Sequence, residues 1–203
     1  MNIRKILKEE LYRYYIKESL SSILYHFTSI HSLINILEKD IFKLSDVSSG
    51  WTNSNKEKQI NNGYKYYISF SRTFNSSYNM KAKLPVRIHM NGDMLNYNYK
   101  GTQANYYDNI QDSESEDRLL SNKPELNNIS KYITRVDIAK DKNLKYTLDM
   151  LYDNIDDNMK KIIYVYRNYN DFIKGNNNCY NLYNDYDEII KMVNERPIFK
   201  IGV

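Results

Sequence analysis

Apolar residues at helical spacing open the chain. Ile3, Ile6, Leu7, Leu11 and Tyr14 fall along one stripe, which predicts a helix over residues 3–20. The period then changes. Ile23-Leu24-Tyr25-His26-Phe27 alternates as a strand, with Leu24 and His26 on one face and Ile23, Tyr25 and Phe27 on the other. Thr28 or Ser29 follows as a helix cap, ahead of a second helical stripe formed by Ile30, Leu33, Ile34 and Leu37.

Residues 46–63 are polar and read as a loop. Tyr66 to Arg72 returns to strand, with Ile68 and Phe70 opposite Tyr67, Ser69 and Ser71. Val86-Arg87-Ile88-His89-Met90 alternates as a strand and ends at a predicted turn, Asn91-Gly92-Asp93. A second polar loop runs from Gly101 to Ser115. Arg118-Leu119-Leu120, Tyr132 to Ile138 and Ile162 to Tyr166 read as strands, 144–155 and 185–194 as helices, and 175–178 as an Asn-rich loop. Strands come in runs rather than in strict alternation with helices, so the expected class is α+β, in one domain over residues 1–203. No internal repeat, inter-domain linker or glycine-rich phosphate loop is present.

Composition narrows this picture only modestly. Hydrophobic residues make up 41% of the 203 positions, enough for a core, and 21 of them are Tyr. Abundant Tyr, Asn and Lys follow an AT-rich coding sequence and carry no functional weight. The single Cys179 excludes an internal disulfide, and no Cys/His group has metal-ligand spacing. A net charge of +4 falls well short of a dedicated nucleic-acid binder. No apolar run reaches membrane-spanning length and the first residues lack a signal-peptide core, so a cytoplasmic protein without membrane contact is expected.

Three short runs carry the candidate chemistry: Tyr25-His26-Phe27-Thr28, Ser69-Phe70-Ser71-Arg72 and Glu114-Ser115-Glu116-Asp117-Arg118. They bring an imidazole, hydroxyls and carboxylates to the ends of predicted strands. Breaking the bond between nicotinamide and ribose in NAD passes through an oxocarbenium-like state. That reaction needs a carboxylate near the ribose and donors that fix the amide and the second ribose. Nicotinamide leaves without a strong general acid.

In these residues the chain resembles the ADP-ribosyltransferase superfamily. Its signature places a His or Arg on an early strand, a Tyr or Ser on a middle one and a Glu on a late one. The likeness covers roughly residues 22–138, with 139–203 as an extension of the same domain. The resemblance implies an α+β split-sheet core and transfer of ADP-ribose from NAD to a macromolecule, as in an intracellular toxin or phage effector. It implies that His26 binds the adenosine ribose, with the Phe27 main chain on the nicotinamide amide and Thr28 beside it. Ser69 supports the glutamate, Ser71 and Arg72 line the cofactor, and Tyr78 stacks on nicotinamide. Glu116 stabilises the ribosyl cation, while Glu114 orients or deprotonates the acceptor. Tyr106 and Tyr107, in the loop before Glu114, touch that acceptor, either a protein arginine or nucleic acid. The family usually pairs His with Tyr or Arg with Ser; this chain mixes His with Ser.

Each residue also has a structural reading. His26 fits a core imidazole, Ser69 and Ser71 a wetted strand face, and Glu114, Glu116 and Asp117 a solvated acidic turn. Arg72 and Arg118 fit either local salt bridges or a pyrophosphate clamp. His31 and His89 are read as structural. Two other functions stay open. One is an NAD-dependent RNA phosphotransferase, which needs several arginines and a histidine around an RNA phosphate. The other is a non-catalytic nucleic-acid-binding or interaction protein using tyrosine stacking and lysines.

Overall fold

The computed structural model describes residues 20–49, 59–74, 84–104 and 116–195. The helix expected over 3–20 therefore lies outside the described residues except for Leu20. The early strand, β1 (Ile23–Thr28), leads into α1 (Ile30–Lys39) as its sequence requires. Ser29 is the cap: its Oγ accepts from the Ser32 amide at 3.1 Å. The helix ends where Asp40 takes a left-handed conformation, φ 53°, and its N–H returns to the Ile36 carbonyl. Ile30, Leu33, Ile34 and Ile36 are buried along one stripe, each contributing about 1.5–3 kcal/mol relative to exposure.

A nine-stranded sheet organises the rest. In chain order follow β2 (Ile41–Lys43), β3 (Ser45–Asp46), β4 (Tyr66–Ser71), β5 (Val86–Asn91), α2 (Gly92–Asn98), β6 (Lys100–Ala104), β7 (Glu116–Ser121) and β8 (Glu125–Asn127). Then come β9 (Ile133–Ala139), α3 (Leu144–Asn154), α4 (Asp157–Lys161), β10 (Ile163–Tyr166), α5 (Tyr169–Lys174), β11 (Cys179–Asn181) and α6 (Tyr186–Asn194). Across the sheet the order is β11-β10-β9-β5-β1-β4-β7-β6, with β3 also on β4 and β2–β8 a separate ribbon. Among the described residues, only β9 and β10 run parallel. The fold is a mixed α+β arrangement around a mostly antiparallel sheet.

One face of the sheet is the core. Leu24, Phe70, Ile88, Met90, Leu119, Val136 and Ile163 are buried there under Leu33 of α1, Leu148 of α3, Ile189 of α6 and Phe42 of the ribbon. The other face carries the residues at the alternate positions, most of them polar or aromatic, with Leu120 and Ala139 buried in small clusters of their own. Registers fix one row across it: Glu116 opposite Ser71, Ser71 opposite Tyr25, Tyr25 opposite His89 and His89 opposite Arg135.

Several sequence expectations need correction. Asn91-Gly92-Asp93 is not a hairpin turn but the start of α2, with Asn91 Oδ1 capping the Met94 amide at 3.0 Å. The polar stretch 46–63 begins with Asp46 in β3 and a short helical turn, Val47–Ser49, in which Val47 is buried. The loop expected from Gly101 begins as an edge strand, β6, through Ala104. Strands β2, β8 and β11 and helices α4 and α5 are too short to leave a period in the sequence. Among the described residues, no helix is long and apolar enough to cross a membrane.

Candidate functional site

The runs containing His26, Ser69 and Glu116 come to rest on β1, β4 and β7, three neighbouring strands. β1 pairs with β5 along all six residues but meets β4 only at Tyr25–Ser71. Beyond that contact the two strands part, and His26 spans the opening. Its Nδ1 lies 3.3 Å from the Ser69 carbonyl oxygen. A carbonyl only accepts, so the proton sits on Nδ1. Burial lowers the His26 pKa from its ordinary value, with the Ser69 contact opposing, so the neutral ring leaves Nε2 as an acceptor.

The ring packs edge-on to Phe42 and Phe70, with centroids 5.1 and 6.0 Å away. It belongs to the core side of the sheet, whereas Ser69, Ser71 and Glu116 belong to the polar side. His26 and Ser69 thus meet through a main-chain atom, not through their side chains. Beside His26 a cavity of about 410 Å³ opens between α1, β1 and the ribbon, lined also by Thr28, Asn35, Lys39, Lys43 and Glu125. Its size falls in the range of small-molecule sites.

On the polar side, Glu116 stands directly across from Ser71, and Arg118 across from Ser69. Arg118 Nε donates to Glu116 Oε1 at 2.8 Å, and the carboxylate side chain keeps 13% exposure. The guanidinium orients this carboxylate, which stays partly open to solvent. Ser71 is spent locally: its Oγ donates to the Thr73 carbonyl at 2.9 Å and accepts from the Thr73 amide at 3.1 Å. Phe27 is half-buried beside Tyr166 and Phe172. Glu114, Tyr78, Tyr106 and Tyr107 lie outside the described residues.

Arg72 takes its structural alternative. It pairs with Asp117 at 3.4 Å, while Asp117 Oδ2 accepts from the Ser21 amide at 2.6 Å. Asp117 is fully buried, and burial pushes its carboxyl up against the opposing Ser21 and Arg72 contacts. This clamp ties the entry of β1 to β7.

Sequence reasoning missed a second group on the polar face. Asp137, fully buried, receives Arg87 Nη2 at 2.6 Å, His89 Nε2 at 2.8 Å and Arg135 Nε at 2.6 Å. Burial alone would raise the Asp137 pKa, but these three partners overrule it and hold it at about 2. An ionised carboxylate only accepts, so His89 donates from Nε2. The 3.4 Å approach of Arg87 Nε to that nitrogen is then a close contact rather than a hydrogen bond. Arg87 is fully buried, its guanidinium 3.4 Å from the Phe74 ring centre and 4.5 Å from that of Phe172. The signal was present as charges two apart on two strands, Arg87/His89 and Arg135/Asp137, which puts them on one face.

Among the described residues, no group of His, Cys, Asp and Glu is arranged to hold a metal ion. Compared with protein-family models, curated proteins and solved structures, the chain matches none.

Proposed function

We propose that this chain is an NAD-dependent ADP-ribosyltransferase with an ADP-ribosyltransferase-like split-sheet core, moving ADP-ribose from NAD to a macromolecular acceptor. The observation that supports this most is the adjacency of β1, β4 and β7, with His26 bridging their one parting to Ser69. Three runs far apart in sequence would have no reason to fall on three neighbouring strands if each were an isolated accident.

On this reading His26 Nε2 accepts from a hydroxyl of the adenosine ribose, and Thr28 and the cations of the adjoining cavity line the same half of the cofactor. The end of β1, released from β4, offers its Phe27 main chain to the nicotinamide amide. Glu116 lies two strands over from His26 and on the other face of the sheet, so NAD reaches both around the end of β1, where it parts from β4. As the bond from ribose C1′ to nicotinamide breaks, its electron pair leaves with the neutral base and C1′ becomes cationic. The Glu116 carboxylate, oriented by Arg118, opposes that charge. The acceptor oxygen or nitrogen then bonds to C1′ and gives up its proton, for which Glu114 is the proposed base.

The experiment is incubation with NAD labelled in its adenylate, with a cell extract as the source of acceptors. Free nicotinamide together with label on a macromolecule supports the proposal. Protease and nuclease digestion then separate a protein acceptor from nucleic acid. Oligonucleotide binding without any nicotinamide release would favour the non-catalytic alternative instead.

A further inference from the structure

Around Asp137 the charges do not balance. Arg87 and Arg135 are both cationic, His89 adds a third donor, and one carboxylate answers them. Among the described residues no second carboxylate pairs with any of the three. Arg87 is fully buried, and burial works against its charge. A buried charge lacking full compensation costs several kcal/mol. The Phe74 and Phe172 faces offset part of that cost but supply no negative charge. The surplus is not sealed in. The Arg135 side chain is 35% exposed and that of His89 14%, so both reach solvent in front of the buried Arg87.

Arg135 is also pre-positioned. Its Nε is fixed by Asp137 at 2.6 Å, Nη2 by the Tyr166 hydroxyl at 3.1 Å, and its plane lies 3.9 Å from the Tyr164 ring centre. A guanidinium held this way loses little freedom on binding. A register irregularity between His89 and Met90 sits at this point of β5, where a bulge re-aims a side chain. The cluster lies on the same face as Glu116, in the row Glu116, Ser71, Tyr25, His89, Arg135.

We infer that Arg135, backed by Arg87, forms a phosphate-binding subsite on the polar face of the sheet. The ligand is a phosphate group carried either by NAD, as its pyrophosphate, or by the backbone of a nucleic-acid acceptor. A phosphate supplies the missing negative charge and accepts the outward donors of a guanidinium. Arg72 and Arg118, for which the sequence offers either a local salt bridge or a pyrophosphate clamp, have their own carboxylates in Asp117 and Glu116.

The test uses the full chain and measures binding without turnover. Calorimetry with ADP-ribose, and fluorescence anisotropy with a single-stranded phosphodiester oligonucleotide, are compared for the native protein, Arg135→Gln and Arg135→Lys. Nicotinamide riboside and an uncharged methylphosphonate oligonucleotide serve as phosphate-free controls. We expect about tenfold weaker binding of the phosphate-bearing probe in Arg135→Gln, with a salt slope smaller by about one ion. Arg135→Lys keeps the charge but not the fork, so it should restore the native salt slope and only part of the lost affinity, which a purely structural role would not produce, and the control probes should not respond. Loss confined to ADP-ribose assigns the site to NAD; loss confined to the oligonucleotide assigns it to the acceptor. Arg135→Lys, with the same readout, covers the case in which Arg135→Gln does not fold. Native protein that binds neither phosphate probe, or variants that bind both as tightly as the native chain, would overturn the inference. Neither result depends on whether NAD is cleaved.

Discussion

His26 Nδ1 and the main-chain carbonyl oxygen of Ser69 stand 3.3 Å apart, across the place where β1 and β4 separate. The contact fixes the tautomer and leaves Nε2 as an acceptor. His26→Ala should therefore raise the KM for NAD more than it lowers kcat, because its partner is a part of the cofactor that does not react. The ring also fills space between Phe42 and Phe70, so a stability loss of about 2 kcal/mol should accompany the change. Calorimetric titration of NAD separates the effects. Unchanged affinity with a lowered Tm would leave His26 as a core residue only.

Asp137 should be the most sensitive polar position in the sheet. Asp137→Ala removes the only carboxylate that Arg87 contacts among the described residues and strands a fully buried guanidinium. Breaking a buried pair from one side costs about 3–5 kcal/mol. Urea unfolding should show a midpoint shift of that size, and a change under 1 kcal/mol would mean that Arg87 finds other compensation.

The same carboxylate sets an acid limit. The Asp137 pKa is held at about 2 in the fold, below its ordinary 3.8. Its contribution is present above pH 4 and is lost as pH falls from about 4 to 2, because the unfolded chain takes up the proton first. The amount is on the order of 2 kcal/mol. Native protein and Asp137→Asn should thus converge in stability toward pH 2. A gap that stays constant from pH 5 to pH 2 would contradict the assignment.

Gly92→Ala should damage the fold, because Gly92 is buried at the start of a short helix. A Cβ there would fall 1.7 Å from the Ser21 carbonyl oxygen, and the Gly92 amide already donates to the Ser22 carbonyl at 2.8 Å. Backbone must move to admit a methyl group, and overpacking of this kind costs about 1–3 kcal/mol. Thermal unfolding reads it directly; an unchanged Tm would show that the segment before β1 yields freely.

How far the chain can be read from sequence follows from the reach of each signal. The strand and helix from Ile23 to Lys39 were legible because period, cap and burial all agree there. The alternation on β4 and β5 placed Ser69, Ser71, Arg87 and His89 on their correct face. What alternation cannot give is which strands are neighbours. The adjacency of β1, β4 and β7, and the convergence of Arg87, His89 and Arg135 on Asp137, arise from pairings between distant residues. His89 was therefore read as a bystander. The segment Asn91-Gly92-Asp93 misled for a local reason: the same residue types favour a hairpin turn and a helix cap. The family resemblance sets Ser71 and Arg72 against a cofactor, whereas Thr73 and Asp117 already engage them.

The central claim rests on Glu116, the carboxylate across from Ser71 and held by Arg118. Its charge is needed mainly when C1′ turns cationic, so its loss should fall on turnover rather than on NAD affinity. The direct measurement is nicotinamide release from NAD by native protein and by Glu116→Gln, with NAD affinity measured in parallel. The account predicts release by the native chain, a fall of at least 100-fold in the variant, and NAD affinity within a few-fold. Release at the native rate from Glu116→Gln, or none from the native protein under any acceptor condition, would contradict it.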